Sequence, residues 1–412
     1  MKISNHIFFF LIIFVFTFKS KSQTHYFLQY DKNFSPKVGA ENLLTLHKIF
    51  YQTENHYLPP TITTEENFTG KICNISYRLS KTILLDNIID HFLVLTQHEV
   101  FGHGSRFREF GYTENSFTLS LFPPFGDGHG VVYAGKNENE RNISLDEEIA
   151  ISIGGMEAND IFATTLVNKW MNKGTIHYRE TILYLFSAND ITHYILATKI
   201  FNRNEEGNDI RSYISDQKSK GNDIELENLT QQIFLQSINP FQWYSFYTYF
   251  VTYLIEGKET LEIPTLHIGN WNYLPLLKMQ LTPFGTEVSL ENYFSQKNCV
   301  WNVELRKRIS GKENFFGLGI NVINLWTTER WKFNTSVNFW KQPSLTLGGK
   351  TLETIPQGFG VAGFFDMQYK FLHTTPVYSF LQIGYKTPGF LKGEILQKGI
   401  IARIGISFEV EK

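Results

Sequence analysis

The sequence is poor in cysteine, and its charges nearly cancel. Only two cysteines, Cys73 and Cys299, occur in 412 residues, which excludes a structural zinc site built from a cluster of cysteines. The 38 Lys and Arg residues are matched by 40 Asp and Glu residues, so no basic field is present to attract a nucleic acid. We therefore expect no nucleic-acid partner. The two cysteines form one disulfide or remain free thiols, and the sequence leaves both open.

Long hydrophobic runs are also absent, apart from one of 12 residues near the amino terminus. Residues 7–18 form this run, which is too short to cross about 30 Å of hydrocarbon. Its length suits the core of a signal peptide, and Ser20 and Ser22 supply the small residues that precede a cleavage site. We predict a signal peptide over residues 1–22 and an exported chain, with an uncleaved anchor as the alternative.

Aromatic residues are abundant, and the spacing of apolar residues changes along the chain. The 37 Phe, 20 Tyr and 7 Trp residues suit cores, interfaces and the aromatic girdles of membrane barrels. From about residue 42 to residue 257 the apolar spacing is mostly helical, including a core helix predicted over residues 242–255. The charged stretch of residues 202–223 is interpreted as a solvated loop. This pattern predicts a mainly helical domain over residues 23–263.

After about residue 264 the apolar period becomes two. Trp331, Phe333 and Val337 alternate with polar residues, and about eight runs of this kind follow between residues 276 and 410. A soluble sheet would pack its apolar face on the helical part, whereas a membrane barrel would turn that face to lipid. We therefore predict an α+β chain in which residues 264–412 form an antiparallel β-domain. The pattern favours an eight-stranded barrel in the outer membrane.

One short motif carries chemistry: His98-Glu99-Val100-Phe101-Gly102-His103. Zinc hydrolases often place two His residues four apart on one helical face, with a Glu beside the first as general base. Here the spacing is five, which separates the two side chains by about 140° on an ideal helix. A single π-turn would restore a common face, and Gly102 is where a helix tolerates that distortion. The motif therefore predicts a metal site on a locally distorted helix.

The eight residues from His98 to Ser105 resemble the zinc motif of the dipeptidyl-peptidase III family of metallopeptidases, which shares the five-residue spacing. The resemblance implies that His98 and His103 bind Zn²⁺, that Glu99 activates water, and that a Glu on a later helix is the third ligand. It covers the motif alone, since this chain is much shorter than that family and has a β-rich half that the family lacks. The implied fold of the first domain is zincin-like.

Glu157, 54 residues after His103, is the predicted third ligand. It lies in an apolar stretch, where a carboxylate is costly unless it is paired or coordinated. Gly154 and Gly155 would let its helix approach the motif helix closely. Glu147 has another explanation, because it completes a capping box with Ser144 at a helix start.

Several other residues are candidates for contacts with the substrate or with the site. His129 and Tyr133, on the second strand of a hairpin predicted between residues 115 and 134, are interpreted as donors to an oxyanion or as ordinary sheet residues. Asp190 and His193 interrupt an apolar helix and are interpreted as residues that line the same cavity, with an ordinary buried histidine as the alternative for His193. His91 is interpreted as a packing residue. Arg106 and Arg108 are interpreted as residues that anchor a carboxylate or lie on a solvated surface.

These patterns together predict an exported zinc metallopeptidase that acts on a peptide or protein substrate. Three protein ligands and one open position are typical of a catalytic zinc site. Glu99 would take a proton from the metal-bound water and return it to the leaving amine. The alternatives are a non-proteolytic metal hydrolase, such as an amidase or a lipid-modifying enzyme, and an inactive structural barrel protein of the outer membrane.

Overall fold

The computed structural model describes residues 24–64, 67–137, 140–201, 207–311, 315–371 and 376–410. The predicted signal peptide, residues 1–22, lies outside the described residues. The described chain combines ten α-helices with a large antiparallel sheet, so the predicted α+β class is confirmed. Within the described part no disulfide links the cysteines; Cys73 is exposed and Cys299 is half-buried.

Most of the helices precede the long strands in the chain. In chain order they are α1 (Pro36–Tyr57), α2 (Phe68–Lys81), α3 (Asn87–Thr96), α4 (Gly104–Glu109), α5 (Leu145–Lys173), α6 (Tyr178–Ala188), α7 (Asp190–Ile200), α8 (Asp209–Ser219), α9 (Leu226–Gln232) and α10 (Pro240–Tyr247). Tighter or wider turns extend some of them: π-helical turns at Thr82–Asp86, Gln97–His103 and Thr248–Ile255, and a 3-10 helix at Ile233–Ile238. No helix in the part of the chain that the structure describes has the length and hydropathy needed to cross a bilayer.

Helix α5 is the central element of the helical part. The predicted capping box is confirmed at its start: the Ser144 side chain accepts a hydrogen bond from the Glu147 N–H, and the Glu147 carboxylate accepts one from the Ser144 N–H. Its end lies at Gly174, whose φ of 73° suits glycine. Ile153 and Phe162 are fully or almost fully buried, which is typical of a helix enclosed by the rest of the fold.

The large sheet has ten strands: β1 (Thr24–Tyr30), β8 (Leu266–Ile268), β9 (Trp271–Thr282), β10 (Gly285–Gln296), β11 (Cys299–Arg308), β12 (Phe316–Thr327), β13 (Trp331–Gln342), β16 (Gly358–Lys370), β17 (Val377–Lys386) and β18 (Gly399–Val410). Their order across the sheet is β1-β18-β17-β16-β13-β12-β11-β10-β9-β8. Shorter strands pair outside it: β2 (Tyr112–Thr113) with β5 (Lys136–Asn137), β3 (Ser116–Leu119) with β4 (Gly130–Tyr133), β6 (Thr175–His177) with β7 (Thr260–Glu262), and β14 (Leu345–Leu347) with β15 (Glu353–Ile355).

The two edges of the sheet are bonded to helices and not to each other. The Asn42 side chain of α1 donates a hydrogen bond to the backbone of Gln29 in β1 and accepts one from it. The Thr45 hydroxyl does the same with the backbone of Phe27. At the other edge, the side chains of Gln236 and Gln217 donate to carbonyl oxygens of β9. Such side-chain bonds satisfy the backbone groups that an edge strand leaves unpaired.

The predicted closed barrel of eight strands is therefore corrected to an open sheet of ten. Eight long strands do follow one another between Trp271 and Val410, as the alternating pattern predicts. The first strand of the sheet, β1, comes from the segment predicted as helical and pairs with β18. One hydrophobic core also joins the two predicted segments, since Ile153 of α5 packs in the same cluster as Leu281 of β9.

The two faces of the sheet differ in polarity, and the exposed face is more apolar than that of a soluble sheet. Toward α1 and α5 the sheet borders a cavity of about 480 Å³, into which the polar side chains of Asn334, Asp366 and Arg403 project. Apolar residues on the same side of the sheet, such as Leu276 and Phe364, are buried in the hydrophobic cores. The face turned away from the helices is apolar and exposed, as at Trp326 (58%) and Phe365 (49%). A soluble sheet that packs on helices places its apolar residues on the helical side.

Candidate metal centre

The predicted π-turn is present in the motif. Residues Gln97–His103 form a π-helical turn between α3 and α4. The wider turn accommodates the additional residue and brings the Nε2 atoms of His98 and His103 to 3.1 Å from each other. The prediction that a local distortion turns both imidazoles to one side is confirmed.

Glycines allow the motif turn to cross α5 at very short range. A Cβ atom on Gly102 would lie 2.6 Å from the Gly154 carbonyl oxygen, and one on Gly155 would lie 2.2 Å from His98 Nε2. Neither position has room for a larger residue. Gln97 also fixes the crossing, since its buried amide donates to the Ala158 carbonyl oxygen of α5.

A carboxylate from α8 completes the group. The Asp209 Oδ2 atom lies 3.2 Å from Nε2 of His98 and 3.2 Å from Nε2 of His103. Asp209 is the first residue of α8, which Asn208 caps by accepting a hydrogen bond from the Arg211 N–H. Among the described residues, His98, His103 and Asp209 are the group of side chains arranged to hold a metal ion.

The three donor atoms fit a tetrahedral ion. They form a nearly equilateral triangle with sides of 3.1, 3.2 and 3.2 Å. Ligands at about 2.0–2.1 Å from a tetrahedral zinc are separated by about 3.3–3.4 Å. An ion would therefore need only a few tenths of an ångström of adjustment. Two imidazoles and one carboxylate are also the donor types that zinc takes at catalytic sites.

Other groups hold the imidazoles in this orientation. His98 Nδ1 lies 2.9 Å from Asp190 Oδ2, which also accepts a hydrogen bond from the Asn159 side chain. His103 Nδ1 lies 2.7 Å from the carbonyl oxygen of Ile151. An acceptor on the remote ring nitrogen leaves the other nitrogen free to bind a metal.

Tyr194 also contacts the metal-facing nitrogen of His98. Its hydroxyl is 3.2 Å from His98 Nε2, and its ring stacks on the imidazole with a centroid distance of 5.1 Å and an interplanar angle of 4°. A tyrosine hydroxyl in this place can donate to a molecule bound at the centre.

The charges of the centre favour a cation between these groups. Burial opposes a positive charge on His98, but Asp190 and Asp209 raise the pKa of this imidazole well above its usual value. Burial also opposes protonation of His103, and Asp209 raises the pKa of His103. The imidazoles in turn lower the pKa of Asp209 against the effect of its own burial. An electrostatic field that favours protons here also favours a divalent cation, which replaces them when it binds.

Glu157, the predicted third ligand, lies elsewhere. Both of its oxygens accept hydrogen bonds from Arg106, at 2.7 and 2.8 Å, and one also accepts from the Gly393 N–H at 2.6 Å. The sequence argument that a carboxylate in this apolar helix needs a partner holds, but the partner is a guanidinium. The surface interpretation of Arg106 is wrong, because this residue is only 4% exposed.

Glu99, the predicted general base, is buried beside the hairpin of β3 and β4. The predicted hairpin is confirmed, with Ser116 opposite Tyr133. Gly130 of β4 touches the Glu99 side chain so closely that a Cβ atom there would lie 2.8 Å from Glu99 Oε1. The negative charge of Glu99 contributes to the raised pKa values of both motif imidazoles, which indicates that it lies near them.

The remaining candidates are not part of the ligand group. His129 is exposed just before β4, and Tyr133 is 58% exposed toward the end of that strand. His193 is exposed on α7, directly before Tyr194. His91 packs between Phe122 and Phe186, in agreement with its interpretation as a packing residue.

Sequence reasoning missed Asp209 and Tyr194, and it named Asp190 only as a residue lining a cavity. The interpretation of residues 202–223 as a solvated loop does not point to Asp209, because Asp209–Ser219 is a helix. A signal for that helix is present: Ile210, Tyr213, Ile214 and Gln217 have helical spacing and are all buried. Helix α8 packs against α5, and this contact between distant segments brings Asp209 to the motif.

Comparison with known proteins gives no relative: no protein-family model, no curated protein and no solved structure matches this chain.

Proposed function

We propose that this protein is an exported, zinc-dependent peptidase with a zincin-like helical domain, and that His98, His103 and Asp209 bind the metal. The observation that supports it best is the triangle of donor atoms with sides of 3.1–3.2 Å beside Glu99. Asp209 takes the place that sequence reasoning gave to Glu157. A site with three protein ligands and an open position is typical of hydrolytic zinc enzymes.

The residues around the centre have the properties that hydrolysis requires. Zn²⁺ bound there would make a coordinated water acidic and polarise a carbonyl group. Glu99 takes a proton from the attacking water and delivers it to the leaving amine. Asp190 and the Ile151 carbonyl oxygen keep the two imidazoles in the metal-binding orientation. Tyr194 donates a hydrogen bond to the substrate oxygen that becomes negative during attack.

A peptide substrate is favoured by the hairpin next to Glu99. In the described residues β4 pairs only with β3, so its second edge is free to accept an extended chain. Main-chain hydrogen bonds to such an edge position a peptide in a defined direction. The same water activation suits an amidase or a lipid-modifying hydrolase, but those substrates make no use of a free strand edge.

The exposed apolar face of the sheet supports a membrane location for the protein. Large apolar side chains, such as Phe359 (79%) and Ile400 (77%), project away from the helices, and polar side chains project toward them. An apolar face of this size in contact with water is costly, whereas hydrocarbon accepts it. We therefore propose that the β-domain contacts lipid in the outer membrane. The signal peptide predicted over residues 1–22 belongs to the same proposal.

Metal analysis combined with peptide hydrolysis tests the enzymatic proposal. We expect the wild type to bind one Zn²⁺ per chain and to cleave peptides from a fluorogenic library. Asp209→Asn and His103→Ala should lose the metal, and Glu99→Gln should keep it but lose hydrolysis. Glu148→Gln, which neutralises an exposed acid on α5, is the matched control.

Two results would contradict the proposal. In the first, the wild type takes up no stoichiometric metal after incubation with Zn²⁺. In the second, Glu99→Gln cleaves the peptides as fast as the wild type. Retained metal together with cleavage of amides or esters but of no peptide would instead favour the non-proteolytic hydrolase. An inactive structural protein would show no difference between Glu99→Gln and Glu148→Gln.

A further inference from the structure

A second exposed apolar surface lies on the helical side of the molecule. Residues 240–255, which form α10 and the π-helical turn after it, contain no charged side chain. Five large residues on their outer face form what we call the helical wall: Trp243 (61% exposed), Phe246 (41%), Tyr247 (50%), Phe250 (50%) and Ile255 (62%). The prediction of a core helix therefore holds only for the opposite face, where Phe241 and Tyr253 are fully buried.

Trp243 of the helical wall and two neighbouring polar residues are bonded within the protein. The Trp243 indole N–H donates to the Ser237 carbonyl oxygen, and the Tyr244 hydroxyl donates to the Pro264 carbonyl oxygen. The buried amide of Gln242 donates to the Asn189 side chain. A surface that faces water needs no such internal partners, whereas a surface that faces hydrocarbon must satisfy its polar groups within the protein.

The carboxyl end of this segment is also bonded internally. The guanidinium of Arg78, on α2, donates to the carbonyl oxygens of Tyr253 and Leu254 at 3.1 and 2.8 Å. Helix α2 thus lies beside the helical wall, and its exposed residues include Ile72 (46%) and Leu79 (43%) as well as the polar Lys71, Ser76 and Ser80.

Edge strand β8 connects the helical wall to the sheet. Its residues Leu266 and Ile268 are 61% and 53% exposed, and β8 pairs with β9 of the sheet. Because the Tyr244 hydroxyl bonds to Pro264, two residues before β8, the helix and the edge strand are neighbours in space. The apolar surface therefore continues from the outer face of the sheet onto α10.

We propose that the helical wall faces the hydrocarbon of the same lipid bilayer as the sheet, so that helices and strands together form the lipid-facing perimeter. This inference rests on the membrane location proposed above for the sheet. Three observations favour lipid as the occupant: the absence of charge over residues 240–255, the internal hydrogen bonds of the Trp243 and Tyr244 side chains, and the continuity with the sheet. The metal centre lies on other elements: the π-helical turn between α3 and α4, together with α7 and α8.

Spin labels at single cysteines test the inference. In a Cys73→Ser, Cys299→Ser background, Phe250→Cys reports on the helical wall and Phe365→Cys on the sheet. Lys218→Cys, on a charged part of α8 where Lys218 is 51% exposed, is the water-facing control. The labelled proteins are placed in vesicles of phosphatidylcholine and phosphatidylglycerol, after circular dichroism has shown that each variant is folded. The collision rates of the label with oxygen and with a water-soluble nickel chelate are then compared.

We expect labels at positions 250 and 365 to collide with oxygen several times more often than with the chelate, and the label at 218 to show the reverse. A lipid-exposed 365 with a water-exposed 250 would overturn the inference and leave the membrane location of the sheet intact. Water exposure at both positions would overturn both proposals. A third result would also overturn the inference. If neither reagent reached the label at position 250 and its spectrum were broadened by a nearby second label, the occupant of the helical wall would be a second copy of the chain.

Discussion

Two carboxylates beside the motif helix, Glu157 and Asp209, differ in the kind of side chain that they contact. Glu157 is enclosed by the guanidinium of Arg106 and the Gly393 N–H. Asp209 faces the ring nitrogens of His98 and His103 and remains 15% exposed. Burial requires that each carboxylate be neutralised or bonded, but the partner decides the role. A guanidinium is always charged, so its carboxylate partner is not available to a metal ion. Two imidazoles, in contrast, can exchange their protons for a metal ion.

The Arg106–Glu157 pair joins the motif helix to the β-rich half of the chain. Arg106 also donates to Glu109 and to the carbonyl oxygen of Glu394, in the segment between β17 and β18. These contacts indicate a structural role, and the Asp209 group indicates a functional one. The predictions below test this division, from the largest expected effect to the smallest.

Replacement of Arg106 by Met should have the largest effect on stability. The substitution keeps much of the side-chain volume but removes the guanidinium that neutralises the buried carboxylates of Glu157 and Glu109. We expect the free energy of unfolding to fall by about 3–5 kcal/mol, the usual cost of breaking a buried ion pair. Urea titration in detergent, followed by circular dichroism, measures it for the metal-free protein.

Asp209→Asn is the matched control for that titration. It removes a carboxylate that lies partly exposed beside imidazoles, so the metal-free variant should unfold close to the wild-type midpoint. The opposite result would contradict this division. In that case Arg106→Met would unfold like the wild type and the free energy of unfolding of Asp209→Asn would fall by several kcal/mol, which would assign the structural role to the Asp209 cluster.

Gly155→Ala should weaken the metal centre through its geometry. The new methyl group would lie 2.2 Å from His98 Nε2, so the imidazole must turn away from His103 and Asp209. Alanine is a better helix former than glycine by about 1 kcal/mol, so the fold itself should tolerate the change. We expect zinc affinity to fall at least about 100-fold, beyond the 10–100-fold typical of outer-shell changes.

Competition with a zinc-binding dye measures that affinity, with Ser152→Ala as the control on the same helix. Ser152 lies one turn earlier and is half-buried. If zinc affinity were unchanged in Gly155→Ala, the prediction would be wrong. The His98 imidazole would then not lie against Gly155 of α5 in the zinc-bound protein.

The strands were predictable because their signal is local. Alternation over residues 331–339 assigns each side chain of β13 to one face, and this holds for the eight long strands after residue 271. The closure of the sheet was not predictable, because β1 pairs with β18 across almost the whole chain. Nothing local in Thr24–Tyr30 indicates that partner, and nothing local indicates that α1 covers the other side of β1.

The candidate site divides in the same way. The motif and its π-turn follow from six neighbouring residues and the geometry of a helix, so His98 and His103 are predictable from the sequence. The third donor depends on which distant helix packs beside the motif, and spacing along the chain does not encode this. Glu157 met the sequence criterion of a carboxylate in an apolar helix, but its partner Arg106 lies one turn beyond His103 on the motif helix itself.

Asp190→Asn should weaken the centre without removing a ligand. Asp190 accepts from His98 Nδ1 and fixes the orientation of the imidazole. We expect zinc affinity to fall 10–100-fold, the range known for such outer-shell partners. The bound stoichiometry at saturating zinc should stay at one per chain. Loss of all binding would instead assign Asp190 to the ligands, and unchanged affinity would remove it from the centre.

Tyr194→Phe should have the smallest effect and should separate metal binding from catalysis. The phenyl ring can keep its stack on His98, so only the hydroxyl, 3.2 Å from Nε2, is lost. One hydrogen bond contributes about 0.5–1.5 kcal/mol, which corresponds to roughly 2–10-fold. We expect this loss in kcat for peptide cleavage, with zinc affinity close to that of the wild type. If zinc affinity fell and kcat at saturating zinc did not, Tyr194 would support the metal centre in its resting form and would not contact the substrate.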